Sequence, residues 1–165
     1  AEFIVVYPHW GVEYQSYPEE YQITLARSMI DWGADMVIGN HPHVIQPREE
    51  YVAKDGRKGI IYYSLGNLVS NQNHTSVNND YRTEHGLLVD TIIYKDKKDK
   101  KAKILNTRYH TTWVGTISDD YGLLNRVYVT DEYLHGPKDD VSDYDKELMG
   151  IAETMNYDTM HTVVN

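Results

Sequence analysis

The sequence contains no cysteine, a single phenylalanine and only five prolines in 165 residues. Without cysteine there is no disulfide framework and no Cys-ligated zinc or iron–sulfur centre, so any metal must be held by His, Asp, Glu or Asn. Long apolar runs are lacking as well. The longest, Phe3 to Tyr7, falls far short of the ~20 residues a membrane-spanning helix needs. Positive charge is in deficit, with 16 Lys plus Arg against 25 Asp plus Glu and a net charge of −9, which argues against a nucleic-acid or anionic-membrane surface. In excess is tyrosine, 15 in all, a ring that tolerates half-burial because its hydroxyl can stay wet. Such a composition suits a surface-rich α/β protein, long enough for one hydrophobic core.

The order of segments carries more. Phe3 to Tyr7 reads as a buried strand ending at Pro8, and the chain enters it with no basic leader before it. On this reading the chain is the C-terminal portion of something longer. Ser16-Tyr17-Pro18-Glu19 has the capping-box pattern, which predicts a helix from about Pro18 to Trp32 with an apolar stripe of Tyr21, Leu25, Met29 and Trp32, widened by Ala26 and Ile30. Gly33 is placed as its left-handed cap, and Met36 to Ile38 follows as a second strand. Hairpins are predicted from Val44 to Leu65 around Asp55-Gly56, and from Leu87 to Tyr109 around the lysine-rich tip at 95–101. The tip reads as a solvated turn that protects an edge. Between the hairpins, Asn71 to Arg82 is polar and aperiodic, an excursion loop expected on the rim of any site formed by its neighbours. A helix is expected from about Ser142 to Met155 on Leu148, Ile151, Ala152 and Met155. The organisation is thus one body over residues 1–120 and a partly helical extension over 121–165.

Three of the eight histidines fall at predicted strand ends: His9 after the first strand, His41 and His43 after the second. Loops at the carboxyl ends of strands are where open α/β sheets place chemistry. Three imidazoles converging on one edge would suit a metal, with Glu13, Asn40 and Gln46 as neighbouring acid–base or supporting groups. His74, His85, His110, His135 and His161 share no spacing and read as surface or hydrogen-bonding residues. Ser64 lacks the Gly-x-Ser-x-Gly frame of a hydrolase nucleophile.

The segments His9-Trp10-Gly11-Val12-Glu13-Tyr14, Gly33 to Gln46 and Tyr63-Ser64-Leu65-Gly66-Asn67-Leu68 resemble, in order and spacing, successive motifs of the poly-γ-glutamate capsule-biosynthesis family of the CapA type. That family is similar to the calcineurin-like metallophosphoesterases. The resemblance implies part of a four-layer α/β/β/α sandwich with mixed sheets and a site for two divalent metal ions, manganese, iron or zinc. It implies that His9 and His41 share one metal and that His43 reaches the other; Glu13, by its place beside them, is the candidate catalytic acid or base. Asn40, Gln46, Gly66 and Asn67 would form the supporting shell or substrate wall. In the family, an aspartate-rich region and an Asn-His segment stand before the first of these histidines; here Asn40 also separates Gly39 from His41.

The function so implied is bacterial capsule or poly-γ-glutamate biosynthesis, outside the cytoplasm or at the cell surface, with any anchor upstream. Water activated by the metals would attack a phosphoester or a γ-glutamyl amide. The alternative is a non-catalytic factor that binds the polymer or its synthase. An amidohydrolase barrel opening on His-Pro-His is disfavoured by the short chain that follows. The expected partners are an N-terminal segment of the same domain and the surface polymer with its synthase, with no nucleic acid and no membrane span in this chain. Three neutral imidazoles offset the repulsion of two dications poorly, so the 165 residues alone are expected to bind metal weakly and to be inactive.

Overall fold

The computed structural model describes residues 1–98 and 101–165. Elements follow in the order β1 (Val5–Val6), α1 (Glu20–Asp31), β2 (Met36–Ile38), β3 (Arg48–Val52), β4 (Lys58–Tyr62), a 3-10 turn (Tyr81–Glu84), β5 (His85–Tyr94), β6 (Lys103–Asp119), β7 (Gly122–Val129), α2 (Thr130–Leu134) and α3 (Asp143–Met160). The fold is α/β, with two sheets. The first has the order β1-β2-β4-β3, in which β1, β2 and β4 run parallel and β3 returns antiparallel to β4; the second is the antiparallel meander β5-β6-β7.

Side chains alternate across a strand, and this alternation builds two interiors. Val37, Ile61 and Tyr63 face Ile23, Ala26 and Ile30 of α1. Met36, Ile60 and Tyr62 face Leu87 of the second sheet, with Val89, Tyr109 and Met160 packed against them. Helix, first sheet and second sheet are therefore stacked, while α2 and α3 cover Trp113 and Tyr128 farther along the meander through Tyr133, Leu148, Met149 and Ala152. Because β7 pairs along β6 from Val129 to Gly122, the chain after residue 121 is joined to the second sheet.

Several local expectations are corrected. The first strand is regular only at Val5–Val6, at the sheet's edge, with Val5 and Tyr7 exposed. Helix α1 starts one turn later than the Ser16 pattern suggested, because Glu19 is the cap and exchanges hydrogen bonds with Gln22. Its buried stripe is Ile23, Ala26 and Ile30, leaving Tyr21 and Trp32 in solvent. Gly33 does take positive φ, at 116°. Helix α3 is present where a helix was expected, capped by Ser142 with Asp145, but it continues to Met160 and Ile151 is exposed. The lysine-rich tip is described only in part, since Asp99 and Lys100 lie outside the described residues; Lys95 pairs with Glu2 and Lys101 donates to the Gly33 carbonyl. No helix among the described residues is long and apolar enough to cross a membrane.

His85 departs most from its surface reading. It is 2% exposed, beside Asn156 of α3, and burial pushes its imidazole pKa down to about 4 despite the opposing pull of Glu84 and Asp80. A base with a depressed folded pKa binds protons more readily when unfolded. Its contribution is therefore complete above the unfolded value near 6.5 and is lost as pH falls through about 4. Acid should cost up to about 3 kcal/mol through this group. Urea unfolding between pH 7.5 and 4.5 should show a steeper loss for the wild type than for His85→Gln; equal slopes would contradict the assignment.

Candidate metal centre

The three parallel strands release their loops at the same end of the first sheet. After β1 comes His9 to Tyr14, after β2 comes Gly39 to His43, and after β4 comes Ser64 to Asn67. The first two are stitched together by backbone: His9 and Asn40 form an isolated bridge, Trp10 N–H donates to Asn40 O at 3.0 Å, and Asn40 N–H donates to Pro8 O at 3.0 Å. Tyr14 N–H donates to Pro42 O at 2.7 Å. Beneath them Trp10 Nε1 donates to Tyr63 O at 2.9 Å in the interior.

The backbone is unusual where the imidazoles sit. His41 has φ of 108°, His43 of 59° and Tyr14 of 66°. Left-handed conformations in residues with bulky side chains are sparse and collect where function requires them. Here they turn His41 and His43, on either side of Pro42, toward a common point.

His9 and His41 have ring centroids 4.3 Å apart, and those of His41 and His43 are 6.1 Å apart. Glu13, His41 and His43 each bring one ligand atom within 4.8 Å of the others. His43 Nε2 is 3.8 Å from Glu13 Oε1, and its Nδ1 is 2.9 Å from Asn67 Oδ1. The structure thus gathers His9, His41, His43, Glu13 and Asn67, with Glu13, His41 and His43 as the closest donor set and His9 joined to it through the ring of His41. Asn40 contributes its backbone. Gln46 is wholly buried and donates through Nε2 to Gln15 O at 2.9 Å, so it supports the Glu13 loop from beneath. Gly66, at φ 70°, lies where a Cβ would come within 2.5 Å of His85 O; it lets β4 close against the second sheet.

Sequence reasoning missed Gln72, Thr83 and the hydroxyl of Tyr14. Gln72 Nε2 donates to Tyr14 Oη at 3.1 Å and Arg82 bonds Ser16, so the excursion loop does border the histidine loops. It is tied down by Glu84, which is 3% exposed and accepts from His74 N and Nδ1 and from Trp113 Nε1. Only Tyr14, inside the first motif, carried a signal.

Two other features are distinct from this centre. A cleft of about 810 Å³ lies between the β3–β4 hairpin and β6 and is lined by Arg48, Arg57, Lys58, Lys101 and Lys103 among others, with no histidine among its described lining residues. Arg57 there is held by Asp55 and by the carbonyls of Ala34 and Ile30. Asp131, His135 and Glu153 also approach one another, but His135 is exposed and pairs with Glu153 at 3.0 Å, which raises its pKa; an ion pair accounts for the contact.

Comparison with known proteins adds the following. The capsule biosynthesis protein CapA of Bacillus anthracis is 47% identical over 75 residues, which are 46% of this chain and 17% of that protein. The PGA biosynthesis protein CapA of Bacillus subtilis strain 168 is likewise 47% identical over 75 residues, 46% of this chain and 18% of the relative. The matched part is therefore less than a fifth of either relative's length. The profile described as bacterial capsule synthesis protein PGA_cap matches residues 1–72. The similarity therefore falls on the stretch that contains β1 to β4 and every residue gathered at the centre.

Proposed function

We propose that the chain supplies one side of a divalent-metal site in a bacterial protein of capsule or poly-γ-glutamate biosynthesis, acting outside the cytoplasm or at the cell surface. The observation that carries the metal reading is the meeting of electron-pair donors at Glu13, His41 and His43. His43 turns Nδ1 to Asn67 and leaves Nε2 toward the Glu13 carboxylate at 3.8 Å. A neutral imidazole nitrogen and a carboxylate oxygen facing each other favour a cation between them, and imidazole with carboxylate is a donor set suited to zinc, manganese or iron. The residues present fit such an ion, and Glu13, His41 and His43 would hold it, with His9 adjoining. A divalent ion there supplies Lewis-acid polarisation of a phosphoryl or carbonyl oxygen. This chain's own part is to orient the imidazoles through the strained turn and to offer Glu13 for proton transfer to or from a bound substrate.

The same reading gives the outer edge of β1, with Val5 and Tyr7 exposed, to a strand from the remainder of such a protein, which would bring further carboxylate to the site. The substrate class is a phosphoester or the γ-glutamyl amide of the polymer, and the partners are that polymer and its synthase.

Calorimetric titration of zinc or manganese into the chain tests the reading, with Glu153→Gln as background to silence the exposed triple. One ion should bind, and His41→Ala or His43→Ala should weaken it by more than the roughly 10–100-fold that loss of a ligand's supporting partner costs. Undiminished binding by both variants would remove the site. Binding without hydrolysis of phosphodiesters or γ-glutamyl oligomers, in the chain and in the longer relatives, would select the polymer-binding or assembly factor instead.

A further inference from the structure

The loops at this centre are joined to the excursion loop by a directed line of hydrogen bonds. Asn67 is 8% exposed. Its Nδ2 donates to Thr83 O at 2.8 Å and to Gln72 Oε1 at 3.2 Å. Both partners are carbonyl oxygens, which only accept, so the amide has one orientation that satisfies them. In that orientation Oδ1 faces His43 Nδ1 at 2.9 Å. An amide oxygen also only accepts; the proton of this bond therefore sits on His43 Nδ1, and in the neutral ring Nε2 carries the lone pair. The line continues outward, with Gln72 Nε2 donating to Tyr14 Oη at 3.1 Å. Tyr14 then returns to the same imidazole, its ring stacked on His43 with centroids 6.2 Å apart at 30°. His43 is thus held along one edge by Asn67 and over one face by Tyr14, while Asn67 is itself held by Thr83 and Gln72.

We propose that Asn67 is a positioning residue that sets His43 in the Nδ1–H tautomer and so presents Nε2 to a divalent cation, with the Thr83 carbonyl and Gln72 locking the amide. The proposal rests on the reading of His43 as a metal ligand. A histidine side chain free in water favours the opposite tautomer, with the proton on Nε2, so the protein must supply the bias, and a buried amide locked by two carbonyl acceptors supplies it. Partners of this kind, on the far nitrogen of a ligating imidazole, fix ring orientation and ligand basicity. Gln72 extends the lock to residues 71–82, so the excursion loop helps to hold the amide that orients the ligand.

The test is the imidazole nitrogen spectrum of the 15N-labelled chain at pH 7.5, with the His43 signals assigned by their loss in His43→Gln. The expected result is a neutral ring with the proton on Nδ1 in the wild type. Asn67→Leu should move the population toward Nε2–H and weaken zinc binding by about 10–100-fold, and Gln72→Leu should do the same to a smaller extent. The wild-type spectrum decides without any variant: an Nε2–H ring, or an imidazolium paired with Glu13, overturns the proposal. An unchanged tautomer in a folded Asn67→Leu chain also overturns it. Zinc added to the same sample separates the two readings. An Nδ1–H ring whose Nε2 resonance ignores zinc defeats the metal assignment, whereas an Nε2 that responds to zinc in a ring of the wrong tautomer defeats only the role given to Asn67.

Discussion

Gly39→Ala is expected to destabilise the chain by about 3 kcal/mol, combining overpacking with the loss of a buried hydrogen bond. A Cβ at this position would lie 2.0 Å from the Tyr63 carbonyl oxygen and 2.4 Å from Trp10 Nε1, the two atoms that form the buried 2.9 Å bond beneath the histidine loops. Neither can give way easily: the carbonyl belongs to the chain just past β4, and Trp10 is only 7% exposed within the core under α1. The added methyl must break the bond and lift the Trp10 loop away from the Gly39 loop, and His9 and His41 leave with those loops. Thermal unfolding should fall by about 10 °C, at roughly 2–4 °C per kcal/mol for a chain of this size. Metal binding should weaken in step. Gly150→Ala is the opposing control, since a Cβ within α3 there meets nothing and should add about 1 kcal/mol of helix propensity. A Gly39→Ala chain as stable as the wild type would show that the loops are not clamped through Trp10.

Glu84→Ala should have an effect of similar size by a different route. The carboxylate is almost wholly buried and accepts from Trp113 Nε1 at 3.1 Å, His74 N at 2.8 Å and His74 Nδ1 at 2.7 Å. Truncation strands the indole N–H inside the cluster beneath α2 and α3 and releases the loop backbone, at about 3 kcal/mol for an unpaired buried donor together with lost charge-assisted bonds. The distinguishing readout is local. Amide hydrogen exchange across residues 72–80 should accelerate well beyond the global change, because His74 is the point at which the excursion loop is pinned to the 3-10 turn. Glu84→Gln keeps one acceptor oxygen and should lie between. Uniform acceleration over the whole chain, with no excess in the loop, would assign Glu84 to the Trp113 core alone.

How far such sites can be read in advance depends on the kind of interaction that makes them. The strand–helix–strand unit was legible because β-branched runs, apolar helical spacing and Gly33 act locally, although the cap fell at Glu19 and not at Ser16, and it placed His9, His41 and His43 at one end of the sheet. The inward face of α1 was legible only in part: Ala26 and Ile30 were expected there and are buried, with Leu25 and Met29 at its margin, but Ile23 takes the place given to Tyr21 and Trp32, a choice that only the sheet it meets makes. The length of β6 was missed for a similar reason, as Thr, Tyr and Trp serve a half-buried strand as well as a loop. Hidden most deeply were the polar partners. Glu84 and His85 look like a surface pair in sequence and are buried because the excursion loop and α3 close over them. The pairing of Asn67 with His43, Gln72 and Thr83 spans up to 24 residues, and amides advertise no partner in sequence.

The left-handed turn at His41 and His43 also bears on kinetics. Each such residue holds strain of order 1–3 kcal/mol that the surrounding fold sustains, and that strain is in place as soon as the chain folds, before any ligand arrives. If the turn serves the proposed metal site, capture of an ion requires no search through backbone conformations and little ordering entropy at the moment of contact. The slow step passes from the protein to the ion, namely the departure of water from its hydration sphere. Entry rates at a site of this kind should rank metals by how readily they shed water, with magnesium, which dehydrates reluctantly, arriving after manganese, iron and zinc, whatever the final order of affinities.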